Sequence, residues 1–328
     1  MIRPSLTPGK ARGLAATSSP EGIFKVLALD HRDSMRVEIS PDNPASVPAV
    51  TLTRVKMDLL KHLGGEATAV MLEPEYSIAE AIMTRSLPGA VGFLAAVEAQ
   101  RYLGNPAARR TSLLNGWSVE KAKRVGANAI KLLVLYRPDA GAVTEEQDKL
   151  ISQVVADCSR YDIPLFLEPL PYRLDGQRRL DSPEFAAIRR RIITETVRRL
   201  APLGPDVLKV PFPIDTTQDE TRTAWAEACA ELDEASHIPW VLLSGGDPYE
   251  LFCEQVRIAC EAGASGFLAG RALWRDCVAA TDEQRARLIE LTVLPRFREL
   301  ARVAVDHGRD WADCFEMESP PERWYMTY

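Results

Sequence analysis

Short runs of Val, Ile, Leu and Phe recur along the chain, each followed by loop residues and then by a stretch with helical spacing. The runs are VLALD (26–30), AVMLE (69–73), GFLAAVE (92–98), AIKLLVLY (129–136), PLFLEPL (164–170), VLKVPFP (207–213), WVLLSGG (240–246) and GFLAG (266–270). Near-continuous apolar character predicts parallel strands covered by protein on both faces, because a strand with one wet face would alternate. Helix starts are expected in the gaps. Thr144 with Gln147, Thr217 with Glu220, Asp247 with Glu250 and Thr281 with Gln284 have capping-box spacing, and Pro183 and Pro248 stand where the first helical residue would be. Gly64, Gly126 and Gly263 are placed to end helices in the left-handed conformation. Between 247 and 263, Phe252, Val256, Ala259 and Cys260 share one helical face, as a helix packed on a sheet requires.

Eight strands alternating with helices over residues 26–270 have the rhythm of a (β/α)8 TIM barrel, an α/β fold. A doubly wound open sheet is the rival, but neither GxGxxG nor GxxxxGK[ST] occurs. With no low-complexity linker, we read a single domain with a C-terminal extension. Residues 1–22 form an N-terminal lead, 23–280 the barrel, and 281–328 a C-terminal helix and aromatic tail. The tail, with Trp311, Phe315, Trp324 and Tyr325, is expected to pack on the barrel or on a subunit interface.

The chain has 328 residues, 46% of them hydrophobic, with 40 Lys+Arg against 46 Asp+Glu and a net charge of −6. This balance, without a block of like charge, disfavours nucleic acid as a partner. The first 22 residues lack a signal-peptide apolar run and no stretch reaches 18 apolar residues, so no membrane association is expected and a soluble cytoplasmic protein is. Six Cys without a CxxC pair read as buried free thiols. Four isolated His (31, 62, 237, 307) make a histidine-built zinc site hard to assemble, so neither metal nor cofactor is expected.

Four ionisable residues in the apolar runs are singled out as candidates: Asp30, Lys131, Glu168 and Lys209. An unpaired buried charge is costly, so such groups should be paired, neutralised or in use. Ile130 and Leu132 flank Lys131, Leu208 and Val210 flank Lys209, and Leu167 and Pro169 flank Glu168. If those neighbours face the helices, the charges face the barrel interior and share one cavity near the C-terminal strand ends, where barrel active sites form. The plainer alternative is salt bridges filling polar layers of the barrel. A Lys in an apolar site beside a second cation can act as a neutral amine nucleophile toward a carbonyl, and nearby carboxylates can move protons. Together these suggest Schiff-base chemistry. After the seventh and eighth runs, Ser244, Gly245 and Gly246, and Gly270 with Arg271, have the makings of a phosphate site of backbone N–H groups, a hydroxyl and a guanidinium fork.

The segments ALDHRDSMR (28–36), LLNGWSVEKAKRVGANAIKLLVLYRPD (113–139), FLEPL (166–170), VLKVPFP, LLSGG and GFLAGRALW (266–274) resemble the bacterial class I tagatose-1,6-bisphosphate aldolase family, which includes the sulfofructosephosphate aldolases. The likeness spans about residues 23–280. It implies a Schiff base on Lys209, active-site roles for Lys131, Asp30 and Glu168, and phosphate contacts at Ser244, Gly245 and Arg271. The chain departs from the expected Asp-Gln-Arg-Gly at His31 and at Asp33, near the distal end of the sugar; a charged residue at the latter place is familiar in the sulfosugar branch.

The resulting expectation is a metal-independent aldolase, an aldehyde-lyase. It reversibly cleaves a ketose phosphate, tagatose 1,6-bisphosphate first, to dihydroxyacetone phosphate and glyceraldehyde 3-phosphate. Arg32 would meet the distal group, and His31 is either a pH-sensitive polar contact or a plain loop histidine. Related enzymes are homo-oligomers. Alternatives are cleavage of 6-deoxy-6-sulfofructose 1-phosphate or another deoxyketose phosphate, an isomerase, and a catalytically silent sugar-phosphate-binding barrel.

Overall fold

Each apolar run forms a strand. The computed structural model describes residues 3–100, 105–175, 180, 182–218, 221–326 and 328. The strands are β1 (Phe24–Ala28), β2 (Ala69–Leu72), β3 (Gly92–Ala96), β4 (Ala129–Leu135), β5 (Leu165–Leu170), β6 (Val207–Val210), β7 (Trp240–Leu243) and β8 (Gly266–Ala269). All pairings are parallel between sequence neighbours, and β8 pairs β1, so the sheet closes as an eight-stranded barrel. The (β/α)8 expectation holds. Seven of the eight apolar runs outlast their strands by one to three residues at the C-terminal end, and among those extra residues Asp30 and Glu98 reach into the mouth of the barrel.

Strand alternation sorts the core into two bodies. One lies between sheet and helices and takes Leu27, Val70, Phe93, Ile130, Leu132, Leu167, Leu208, Val210, Leu242 and Phe267. The other fills the barrel with Val26, Met71, Leu94, Ala129, Phe166, Val207, Val241 and Leu268, and the Phe24 and Phe166 rings meet edge-on at 5.2 Å. On the helix Tyr249–Glu261 the buried positions include Phe252, Val256, Ala259 and Cys260, the face expected from spacing.

The lower end of the barrel is closed by the chain's own termini. Leu14, from the helix Pro8–Thr17, and Trp311 and Phe315 join the interior body. The Trp311 indole donates to Ser18 Oγ at 2.9 Å, and Ser5 bridges Glu316. This half of the aromatic tail packs on the barrel, whereas Trp324, Tyr325 and Tyr328 remain 37%, 68% and 64% exposed. No helix among the described residues is long and apolar enough to cross a membrane.

Local signals fared unevenly. Thr281 and Gln284 make the capping box, and Ser182 caps the helix that begins at Pro183. Thr144 instead lies inside the helix Ala142–Arg160, where its hydroxyl donates to the Arg137 carbonyl, and Gln147 accepts from the Thr111 N–H: tertiary acceptors took both side chains. Asp247 makes no cap because the helix starts two residues later, at Tyr249. The Thr217 pairing depends on Glu220, which lies outside the described residues; the helix itself starts at Arg222. Gly126 and Gly263 are left-handed, but Gly64 continues the right-handed turn at φ −57°. The six cysteines are free thiols, four of them buried.

Candidate active site

The four ionisable residues come together. Lys131, Glu168 and Lys209 occupy interior positions of β4, β5 and β6, and Asp30 follows β1 on the same parity as Val26 and Ala28. They line the floor of a cavity of about 680 Å³ that opens at the C-terminal ends of the strands, with Ser244, Gly270 and Arg271 on its wall. Lys131 Nζ lies 2.7 Å from Asp30 Oδ2, 2.6 Å from Glu98 Oε1 and 3.1 Å from Glu168 Oε2. Glu168 Oε2 is also 2.8 Å from Lys209 Nζ. One carboxylate oxygen therefore stands between the two ammonium positions. The lysine side chains are only 1% and 6% exposed.

Electrostatics fix the state of Lys131. Burial alone would pull its proton off, but Asp30, Glu168 and Glu98 outweigh burial and raise its pKa well above the ordinary lysine value. Burial likewise opposes ionisation of Asp30. The Lys131 ammonium overrides it and holds that carboxyl well below the usual carboxylate range. Lys131 is thus a permanent cation braced by three carboxylates, and Lys209 shares only Glu168 with it.

The wall that carries Ser244, Gly245, Gly270 and Arg271 is built on two loops. Ser244 Oγ accepts the Gly270 N–H at 2.9 Å, which ties the loop after β7 to the loop after β8 and leaves the hydroxyl proton available. Gly270 is followed by the helix Arg271–Val278, whose N-terminus faces the cavity mouth. Arg271 Nη2 donates to the Gly245 carbonyl at 2.9 Å, and its Nε is buried without a partner. Gly246 has φ +102°, and a Cβ there would lie 2.7 Å from Arg275 Nη2. Only glycine both adopts that backbone and leaves the guanidinium in place.

The residues after β1 depart from expectation. The Arg32 side chain is 4% exposed, with Nη1 2.5 Å from Glu75 Oε2 and Nη2 donating to the Glu98 carbonyl at 2.9 Å. Both terminal nitrogens are engaged by the protein, so Arg32 braces the wall rather than offering a free fork. Burial, against the opposing pull of Asp30, drives the His31 pKa down to about 3. The ring sits edge-on to Trp274 at 5.0 Å, with Nδ1 3.7 Å from Asp30 Oδ1 and without a hydrogen bond. His31 is neutral at ordinary pH, in keeping with the plain-histidine alternative of its two readings. Asp33 is the first residue of a short helix with its side chain 64% exposed, its nearest cation Arg36 at 3.9 Å.

Two residues of the site escaped sequence reading. Glu98 ends the third apolar run on the interior parity, the same signal that singled out Asp30, and touches Lys131 more closely than any other carboxylate. Arg189, on the helix Pro183–Leu200, lines the cavity with Nε and Nη2 both donating to the Phe212 carbonyl, at 3.1 and 2.9 Å. Burial lowers its pKa, with Asp215 and Asp247 opposing. No local pattern marks it, since it belongs to a run of three arginines on a helix. Beside the site, Lys56 and Glu73 form an ion pair with both side chains fully buried.

A family model described as DeoC/LacD family aldolase matches residues 24–276. Curated proteins named tagatose 1,6-diphosphate aldolase, from Staphylococcus aureus strains JH9 and Newman, are 29% identical over 320 residues, covering 92% of this chain and 97% of theirs. Among solved structures, a fructose-bisphosphate aldolase from Plasmodium falciparum superposes with a TM-score of 0.69 at 17% identity, covering 94% of this chain and 99% of that one. An archaeal fructose-1,6-bisphosphate aldolase, its catalytic Lys bound to the carbinolamine intermediate, gives 0.57 at 19% identity over 89% and 98%. At such identities the structural likeness concerns the fold.

Proposed function

The chain belongs to the DeoC/LacD family of aldolases, and from that premise we propose that it is a Schiff-base aldolase cleaving a ketose phosphate, foremost tagatose 1,6-bisphosphate, to dihydroxyacetone phosphate and glyceraldehyde 3-phosphate. Aldolase activity comes with the family; the reacting lysine and the sugar are our reading. The observation that carries it is a buried Lys209 side chain 2.8 Å from Glu168, at the floor of a cavity with Ser244 and Arg271 on its wall. The sugar has its precedent in the name of the Staphylococcus aureus relatives, 29% identical along nearly their whole length.

In this mechanism Lys209 passes its ammonium proton to Glu168 and the freed amine adds to the C2 carbonyl, forming a C–N bond while a second proton passes from nitrogen to oxygen. Glu168, within reach of Lys209 Nζ, delivers a proton to the carbinolamine hydroxyl, and water leaves to give the iminium. A carboxylate then removes the C4 hydroxyl proton. The C3–C4 electron pair moves into the iminium, and the aldehyde departs from the resulting enamine. Protonation at C3 and addition of water regenerate the amine and release dihydroxyacetone phosphate. Lys131, held cationic, turns the N–H nearest Glu168 to a substrate hydroxyl, and Asp30 fixes Lys131 at 2.7 Å. Ser244, Gly245, Gly246, Gly270 and Arg271 hold the 1-phosphate.

A second reading has a specific observation in its favour. Arg32 is neutralised by Glu75 and Glu98, and His31 is uncharged, so the pocket beside β1 is less cationic than a second phosphate dianion would want. A distal sulfonate, carrying one charge, fits that balance, as in 6-deoxy-6-sulfofructose 1-phosphate. We further propose that the protein works in the cytoplasm as a homo-oligomer, with the exposed Tyr325 and Tyr328 available to an interface.

The test is borohydride reduction in the presence of dihydroxyacetone phosphate, followed by peptide mass mapping. A reduced adduct on Lys209, absent from Lys209→Met, is the expected result, and an unmodified Lys209 refutes the mechanism. Cleavage of a panel of ketose 1-phosphates with phosphate, sulfonate or hydrogen at the distal carbon separates the two substrate readings.

A further inference from the structure

Glu98 is fixed at both carboxylate oxygens and at its carbonyl. Its Oε1 lies 2.6 Å from Lys131 Nζ, its Oε2 accepts the Leu133 N–H at 3.1 Å, and its carbonyl accepts from Arg32. Its side chain is 5% exposed. An ammonium group has three N–H bonds to place. For Lys131 the two short contacts go to Glu98 and Asp30, at 2.6 and 2.7 Å, and the longest, 3.1 Å, to Glu168.

We propose that Glu98 is a positioning residue for the aldol chemistry: together with Asp30 it satisfies the Lys131 ammonium, so that Glu168 is left as that ammonium's weakest partner and turns its oxygen to Lys209. The proposal rests on the reading of Lys209 as the imine-forming lysine. Its logic is a charge balance. Three carboxylates face two lysines, and the extra negative charge lets one carboxylate exchange a proton while Lys131 keeps two ionic partners. Without Glu98, Lys131 holds only Asp30 and Glu168 and binds Glu168 more firmly. That draws its oxygen away from Lys209 and makes the cluster less ready to accept a proton. Glu98 touches none of the reacting atoms; it acts through Lys131.

A merely structural role is the competing account, because the bond to the Leu133 N–H joins the segment after β3 to β4. The two accounts differ in pH dependence. Glu98→Gln removes the charge at constant volume. Steady-state cleavage by the full-length enzyme, assayed from pH 5.5 to 9, is expected to show kcat lowered about ten- to hundredfold, as small misplacements of catalytic groups do. KM should change less than about threefold, because no substrate contact is lost. The acid limb of the kcat profile should move to lower pH, and the borohydride adduct on Lys209 should still form. A wild-type kcat and profile in a merely less stable Glu98→Gln enzyme overturns the inference while leaving Lys209 intact. Absence of the adduct in the wild-type enzyme overturns the mechanism instead. Should Glu98→Gln fail to fold, Glu98→Asp carries the test: it keeps the charge but withdraws it by one methylene. Lowered kcat at unchanged KM and an unmoved acid limb support the positioning role, and wild-type kcat overturns it.

Discussion

Replacing Lys131 by Met removes the cation on which three carboxylates converge. The side chain is 1% exposed, and its partners Asp30, Glu98 and Glu168 have 10%, 5% and 7% exposure, so water screens little of the loss. Truncating one partner of a buried ion pair costs about 3–5 kcal/mol, because the survivor stays charged and dry. Here three survivors remain, and proton uptake by one of them caps the loss near that range at neutral pH. At roughly 2 °C per kcal/mol for a domain this large, the melting temperature should fall by about 6–10 °C. The sign of the pH dependence should also invert. In the wild type, Asp30 is depressed well below the usual range, so its contribution is present above the unfolded carboxyl pKa and is lost only as pH falls below it. In Lys131→Met the folded cluster binds more protons than the unfolded chain, so stability rises as pH drops from 7.5 to 5.5. Urea titrations at both pH values measure this. Adding Glu98→Gln to Lys131→Met should restore roughly 1–2 kcal/mol, since one unpaired charge disappears; coupling of this size is usual for contacting groups. A loss below about 1 kcal/mol at pH 7.5, or a double variant less stable than the single, refutes this account of the cluster.

Other consequences are as direct. Glu168→Gln should lower kcat on the order of 10²–10⁴-fold, the usual worth of a positioned proton donor, with the protein still folded by circular dichroism; near-normal turnover would remove Glu168 from the chemistry. Arg271→Met gives up a charge-assisted contact worth about 1.5–3 kcal/mol, so KM for the sugar phosphate should rise about 10- to 100-fold with kcat nearly unchanged; a KM within twofold of wild type would refute its role. Gly270→Ala would put a Cβ 2.6 Å from His31 Cε1 and should disturb the same loop, read as weaker inhibition by inorganic phosphate. His31, with its pKa lowered to about 3, should stay neutral in NMR titration from pH 8 to 5. Because the unfolded chain binds this proton near pH 6.5 and the folded protein does not, stability falls as pH drops below about 6.5, by at most about 1.4 kcal/mol per unit.

What was legible in the sequence, and what was not, follows from how far each signal reaches. Strands buried on both faces announce themselves in four to seven consecutive apolar residues, which is why all eight are visible within a few positions of their true bounds. A charge inside such a run is conspicuous for the same reason, and alternation gives the side of the sheet, so the interior placement of Lys131, Glu168 and Lys209 follows from their neighbours alone. Caps are weaker: Thr144 and Gln147 have the right spacing, but a backbone carbonyl and a distant N–H competed successfully for both. Arg32 and His31 show the limit most clearly. Their position after β1 was readable; that Glu75 lies against one and Trp274 against the other, 43 and 243 residues away along the chain, was not.

The same long-range contacts decide what the distal end of the substrate meets. An Arg buried against two carboxylates contributes little net field, since Glu75 and Glu98 cancel its charge at close range. Arg189 is different in kind: both of its hydrogen bonds go to one carbonyl, and Asp215 and Asp247 act on it only through space. A partly buried guanidinium with no carboxylate in contact among the described residues retains a preference for an anion. If the second charged group of the substrate lies by Arg189, Arg189→Met should raise KM for a bisphosphate far more than for the matching ketose 1-phosphate, which lacks that charge. If it lies by Arg32, the two substrates should respond alike. Measuring both KM values in the one variant therefore locates the distal group whatever the stereochemistry of the sugar, and equal changes would return the assignment to the residues after β1.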